Sequence, residues 1–407
     1  MHILFITDNF PPESNAPANR TFEHAREWVK KGHKVTVVTC APNFPDGKLH
    51  KGYKNNLISK ETIENINVWR VKTYITPNEG FFKRSLDYVS FMFSSSIFGL
   101  FTKNVDIIIG TSPQFFTVIS SWFLSKVKRV PFVFELRDIW PASITAVGAM
   151  KQNFVIKLFE KIELFLYDEA KLIISVTESF KDDLEKRGVK REKIKVIHNG
   201  VDLKRFNKKS NQDNTYIEKF NLEDKFIVGY IGTLGLAHSI ENILLAAERT
   251  LENKNIKFVL VGNGAERNKL KKIIEKRKLT NVLMIPNQPR EKITKLWSIC
   301  DVSIVNLKNT PLFRTVIPSK IFESMGSGLP IIICVPKGEA TKIIESTNSG
   351  IAIEPENPKL LSDSILSIYN DKDLYDQLAS NSAIASKHYD RKTLALKMLQ
   401  HLEDLLD

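Results

Sequence analysis

Residues 317–331 read IPSKIFESMGSGLPI. Pro318-Ser319-Lys320 forms a polar turn into a short helix with Glu323 on its first turns. Gly326, Gly328 and Pro330 then end the helix and start an apolar strand over 331–335. Ser319 is a residue type that caps helix N-termini, where free backbone N–H groups and the positive dipole end attract anions. Lys320 adds a positive charge there. Glu323 is a bidentate acceptor suited to a cis-diol such as ribose. Two readings fit this segment equally: a holder for a nucleoside diphosphate, and an ordinary capped helix whose charges face water.

Outward from this stretch, strand and helix patterns alternate. Apolar strand candidates occupy 2–6, 34–39, 68–71, 105–109, 132–135, 172–176 and 194–197. A second series follows at 226–231, 257–261, 282–285, 302–305, 331–335 and 350–353. Helical patterns such as 21–31 and 153–169 lie between them. This alternation is the signature of parallel sheets covered by helices. A chain of 407 residues suits two domains. The expected class is α/β: two doubly wound, Rossmann-like domains facing across a cleft, with ligands at the carboxyl ends of the strands. The polar stretch 207–214 reads as an exposed linker.

Mid-chain, His198-Asn199-Gly200-Val201-Asp202 and Phe206 come straight after an apolar strand. The N-terminus, MHILFITDNFPP, is a strand and loop, followed by an amphipathic helix and GHKVTVVT as a second strand. The GHKV, HNGVD and SKxFExMxxGxP patterns, in this order and spacing, resemble the GT-B retaining glycosyltransferases of family 4 over essentially the whole chain. Arg137-Asp138-Ile139-Trp140-Pro141 is similar to the bacterial surface-polysaccharide transferases of the L-fucosamine-transferase-like subgroup. The resemblance implies transfer of a sugar from a nucleoside diphosphate, UDP-linked and a candidate N-acetylated deoxyhexosamine, to a lipid-linked or saccharide acceptor. It further implies retention of configuration, with no metal and no other cofactor. In GT-B proteins the C-terminal helix returns to the first domain. Residues 1–203 with 388–407 are therefore expected to form the acceptor-side domain, and 204–387 the donor-binding domain.

Each motif carries candidate site residues. Gly232, Thr233 and Leu234 follow a strand, where small residues let backbone N–H groups approach a phosphate. Many relatives carry Arg at the position of Thr233 and Lys near Ala237 and His238. Neutralisation of the diphosphate therefore falls first to Lys320 and second to the amides of 232–234. Gly262 and Asn263 resemble the family's next glycine turn. Asn287 lies in a loop that meets the base in relatives. The family's first glutamate would stand at Thr315, so Glu323 keeps the ribose role while sugar contact passes to Thr315 and its neighbours. Arg137 replaces a histidine near the reacting centre. Arg cannot act as a base near neutral pH, so Asp138 is the candidate to orient the acceptor hydroxyl or the sugar; a bracing Arg–Asp pair is the alternative. Asn15, Ala16 and Arg20, on a loop after the first strand, are the acceptor candidates. Asp371-Lys372-Asp373 reads as a helix start rather than a metal site.

Net charge is +13, with the excess mainly in the first half. A basic half attracts nucleic acid or an anionic membrane, and no nucleic-acid motif accompanies it. Instead an aromatic run, including Tyr88, Phe91, Phe93, Phe98 and Phe101, follows Lys83 and Arg84. It is too short and serine-rich to span a bilayer. It reads either as a buried helix or as an interfacial patch. Cys40, Cys300 and Cys334 have no paired or metal-ligand spacing, and Met1 leads into a strand rather than a signal peptide. The expected setting is cytoplasmic, peripheral on the inner membrane face. A sugar-nucleotide 2-epimerase and a non-catalytic assembly subunit are the competing readings.

Overall fold

The computed structural model describes residues 1–13, 15–44, 47–76, 81–112, 114–139, 154–206 and 214–406. Trp140, Pro141 and all but the last residue of the expected linker lie outside them. The chain divides into two units, Met1–His198 with Arg391–Asp407, and Asn199–Asp390.

The first unit holds eight strands: β1 (His2–Ile6), β2 (Lys34–Cys40), β3 (Ile58–Ile63), β4 (Ile66–Val71), β5 (Ile107–Thr111), β6 (Phe132–Leu136), β7 (Leu172–Ser175) and β8 (Ile194–Val196). Their order is β3-β4-β2-β1-β5-β6-β7-β8. β1, β5, β6 and β7 are buried throughout, which is why they read as largely apolar runs, with Glu135 the one charged residue among them. β3 is the exception. It pairs antiparallel with β4 through a two-residue turn, Glu64 and Asn65, both at positive φ. Strand order reverses between β1 and β5, the place where doubly wound sheets open a crevice.

The helix Ala16–Lys30 starts earlier than the pattern at 21–31 predicts. Asn15 accepts a hydrogen bond from the Ala18 N–H at 2.9 Å, and Pro17 sits in the first turn, where its missing donor costs nothing. This helix packs against the C-terminal helix Arg391–Glu403. The Trp28 indole donates to the Ala395 carbonyl at 2.8 Å, and Arg391 pairs with Glu23 at 2.6 Å. Leu394, Met398 and Leu402 enter one core with Phe5, Trp28 and Val37.

The aromatic run lies on the helix Phe81–Gly99 and divides between two faces. Phe91 and Ser95 are buried against the helix Phe115–Lys128, where the Ser95 and Ser120 hydroxyls meet at 2.8 Å. Phe93, Ile97 and, just beyond the helix, Phe101 are exposed, at 58%, 54% and 65%. Among the described residues no helix is long and apolar enough to cross a membrane.

The second unit is a six-stranded parallel sheet of β9 (Phe226–Ile231), β10 (Ile256–Val261), β11 (Val282–Ile285), β12 (Val302–Asn306), β13 (Ile331–Cys334) and β14 (Gly350–Ile353). The order is β11-β10-β9-β12-β13-β14, so its reversal falls between β9 and β12. Val228, Tyr230, Phe258, Leu260 and Ile304 fill one side of this sheet. Val201 ties the unit's two ends by donating its N–H to the Tyr389 carbonyl at 2.9 Å.

Candidate functional site

The loops after β9 and β10 stack on one another. The Gly232 N–H donates to the Val261 carbonyl at 2.9 Å, and the Leu234 N–H donates to the Asn263 carbonyl at 2.8 Å. A Cβ on Gly262 would lie 1.9 Å from the Gly232 carbonyl oxygen, and both glycines have φ near +150°; only glycine fits this approach. The stacking corrects one expectation. The amides of Gly232 and Leu234 are bonded to the neighbouring loop and do not form an open phosphate cradle. Thr233 stands exposed between them.

A second correction concerns the cap. Ser319 already has helical backbone angles, and its side chain makes no capping bond to the helix Lys320–Gly326. The N–H groups of Ile321, Phe322 and Glu323 turn back to the carbonyls of Pro318 and Ser319. Those three donors are therefore engaged within the turn itself.

What the segment offers instead is Lys320. The side chain is 8% exposed, and its ammonium has no hydrogen-bond partner among the described residues. It lies 3.8 Å from the centre of the Tyr230 ring and 3.0 Å from the position of a Cβ built on Gly232. Burial pulls its pKa down to about 7, with Glu323 acting in the opposite direction. Tyr230 is itself fully buried and donates its hydroxyl to the Thr233 carbonyl at 2.8 Å. An ammonium held this way is desolvated and uncompensated, a costly state unless an anion joins it. Three residues along the same helix, Glu323 accepts the Trp297 indole N–H at 3.2 Å, which fixes its carboxylate.

Sequence reasoning missed three members of this cluster: Tyr230, Trp297 and the role of His238. The only available signal was their place on or just after apolar segments. The His238 ring meets Tyr230 edge-on, 6.5 Å between centres, and its Nδ1 is shielded and completes no well-formed hydrogen bond among the described residues. Asn263, Asn287 and Thr315 sit on the same sheet edge, after β10, β11 and β12 respectively. The Thr315 hydroxyl donates to the Leu312 carbonyl at 3.2 Å.

In the first unit Arg137 and Asp138 follow β6. Their N–H groups are held by the Ser112 hydroxyl at 2.8 and 3.3 Å. The Nε and Nη1 of Arg137 are shielded with no partner among the described residues. Burial lowers its pKa to about 10, with Glu135 opposing. Arg20, an acceptor candidate, is engaged as a brace: it donates to Glu135 at 2.8 Å and to the carbonyls of His198 and Ile197 at 2.8 and 2.9 Å. Burial by itself would raise the Glu135 pKa, yet Arg20 and Arg137 bring it to about 2. Asn15 is likewise occupied, as a helix cap that also donates to Asn9 at 2.5 Å. Ala16 is exposed at the helix start. An acid the sequence did not single out is Asp87, raised to about 7 by burial and then by Asp8. Asp371 caps its helix by accepting the Leu374 N–H at 2.9 Å.

Comparison with known proteins gives two family matches: Glycosyltransferase Family 4 over residues 18–205 and Glycosyl transferases group 1 over residues 212–384. A protein of Escherichia coli K12 with the provisional name colanic acid biosynthesis glycosyl transferase WcaI is 26% identical over 374 residues, covering 89% of this chain and 90% of the relative. The N,N'-diacetylbacillosaminyl-diphospho-undecaprenol alpha-1,3-N-acetylgalactosaminyltransferase of Campylobacter jejuni is 24% identical, covering 68% of this chain and 71% of its own. Among solved structures, Anabaena HepE in complex with UDP superposes with a TM-score of 0.73 at 18% identity, over 99% of this chain and all of HepE. That likeness shows the GT-B fold.

Proposed function

We propose that this chain, which belongs to the glycosyltransferases built from a family 4 and a group 1 domain, moves a sugar from a UDP-linked donor to a saccharide or lipid-linked acceptor in bacterial surface-polysaccharide synthesis. The observation that carries the donor half is the unpartnered Lys320 ammonium between Tyr230 and Gly232. It stands on the switch-point edge of the second sheet, where a nucleoside diphosphate supplies the missing anion. Glu323, oriented by Trp297, takes the ribose. Thr233, Asn263, Asn287 and Thr315 are the remaining donor contacts. HepE, crystallised with UDP, supports uridine as the first base to test, and an N-acetylated deoxyhexosamine is the first sugar.

Transfer proceeds with retention through an oxocarbenium-like centre. Lys320 meets the charge on the departing diphosphate, and a leaving phosphate oxygen takes the acceptor's proton. Asp138 orients the acceptor hydroxyl or the donor sugar, and Arg137 supports charge at the reacting centre. No resident metal is used, so chelation with EDTA leaves the rate unchanged. The name of the Campylobacter relative, which contains a diphospho-undecaprenol acceptor, supports a lipid-linked acceptor here. Exposed Leu86, Phe93, Ile97 and Phe101, beside exposed Lys83 and Arg84, support docking on the anionic cytoplasmic face of a membrane.

A thermal-shift screen of UDP-, GDP-, TDP- and ADP-sugars, followed by transfer assays with saccharide and lipid-linked acceptors, tests this reading. Stabilisation by UDP-sugars and acceptor-dependent release of UDP are expected. Turnover of the free nucleotide sugar with no acceptor would instead make the chain a 2-epimerase. Neither reaction would make it a non-catalytic subunit.

A further inference from the structure

We propose that Lys320 and His238 together form a two-nitrogen cradle for the donor's diphosphate, and that filling this cradle draws protons from solvent onto the protein. The inference rests on the donor-site reading above and deepens it: it names a second phosphate ligand and a coupled proton.

The geometry begins with Tyr230. The Lys320 ammonium lies over its ring at 3.8 Å, and the His238 ring meets it edge-on. Both side chains thus share one buried aromatic platform at the end of β9. Each presents a shielded nitrogen, Nζ and Nδ1, that completes no well-formed hydrogen bond among the described residues, although the Gly235 carbonyl lies near enough to the His238 ring to favour its proton. Two such atoms around one ring form an anion site without its anion.

His238 is not placed there by a mobile loop. Asn306, fully buried at the end of β12, donates to the carbonyls of His238 and Ser239 at 2.7 Å each. The Lys308 N–H donates to the Ala237 carbonyl at 2.9 Å, and the His238 N–H donates to the Gly235 carbonyl at 2.9 Å. The turn Leu236–His238 is therefore fastened to the strand across the switch point.

Charge supplies the coupling. The groups acting on Lys320 are burial, which depresses its pKa to about 7, and Glu323, which opposes. For His238 they are burial and then the Lys320 charge, both lowering it to about 4, against the Gly235 carbonyl, which favours the proton. Without ligand the two cations disfavour each other. A diphosphate between them replaces repulsion with attraction to both, so each nitrogen's affinity for a proton rises. The protons come from solvent, and no bond other than N–H forms.

The test is calorimetric titration of UDP, and separately of inorganic pyrophosphate, into the full chain at pH 8. At that pH the UDP phosphates are ionised and Lys320 is mostly neutral, whereas pyrophosphate still carries one proton of its own, whose release is subtracted from its balance. Repeating each titration in Tris and in Hepes, whose ionisation heats differ, yields the number of protons exchanged. Uptake of more than about one proton is expected, because both nitrogens gain proton affinity. Lys320→Met removes most of it, and His238→Gln removes the part above one while weakening pyrophosphate several-fold. Binding of UDP with no proton exchange overturns the cradle and leaves the donor reading intact. Pyrophosphate binding with uptake but no UDP binding keeps the cradle and overturns the uridine donor. Unchanged uptake in His238→Gln removes His238 from the site.

Discussion

Lys320→Met should make the second unit more stable while it damages ligand binding. The ammonium's pKa falls from 10.5 to about 7 on folding. Integrated to pH 7, that shift is a folding penalty of about 4 kcal/mol. The cation–π contact with Tyr230 returns roughly 1–2 kcal/mol of it. Methionine has a similar length and no charge, so the net gain is roughly 2–3 kcal/mol, in the range seen when buried charges are replaced by apolar groups. The sign with pH follows from the depressed folded pKa. Between about 7 and 10.5 the unfolded chain binds more protons, so wild-type stability rises with pH there. The variant's advantage is therefore largest below pH 7 and fades towards pH 10.5. Native-state hydrogen exchange of the β9 and β12 amides reads this unit alone. Calorimetry should show UDP weakened about 10–100-fold, the loss of a charged hydrogen bond, and uridine hardly at all. Lower protection together with unchanged UDP affinity would refute the reasoning and make Lys320 a structural residue.

Glu323→Ala should cost about 1–3 kcal/mol in UDP binding, checked by calorimetry against uridine and ribose 5-phosphate. Gly262→Ala places a methyl 1.9 Å from the Gly232 carbonyl; it should force the two loops apart, lower the melting temperature and weaken UDP more than tenfold. Arg20→Met removes the hydrogen-bonded partner of the buried Glu135 carboxylate and leaves it only the Arg137 charge, which should cost about 3–5 kcal/mol at pH 7. The penalty shrinks as pH falls from 4.5 towards 2, because Glu135's depressed pKa contributes stability only above that window; urea titrations at several pH values check it. Exchanging Phe93, Ile97 and Phe101 for Ser should abolish the salt-resistant part of vesicle flotation with stability unchanged, since all three side chains are exposed.

The parallel strands were legible to within about two residues because burial on both faces makes the central ones nearly unbroken apolar runs. β3 escaped notice: ISKETI alternates without a continuous apolar face and is fixed by its turn at Glu64 and Asn65. At the site, sequence located the Lys320 and Glu323 segment but not its physics. A lysine in a Pro-Ser-Lys turn ordinarily faces water. Here Tyr230, some ninety positions earlier, makes it an interior cation. The local roles of Ser319, Asn15 and Arg20 were not legible for a related reason. Each is a residue type that serves equally as ligand or as local fastener, and the choice depends on partners such as Glu135 that no local pattern exposes.

The C-terminal helix Arg391–Glu403 completes the core around Trp28, which gives synthesis an unusual order. Domains ordinarily mature from the N-terminus as the ribosome proceeds. In this chain the second unit is fully made before the first has its last helix. The first unit waits, with the Trp28 face unsealed, until residues 391–403 have been made. A nonsense codon between Asp390 and Met398 would spare the later-made domain and strike the earlier one.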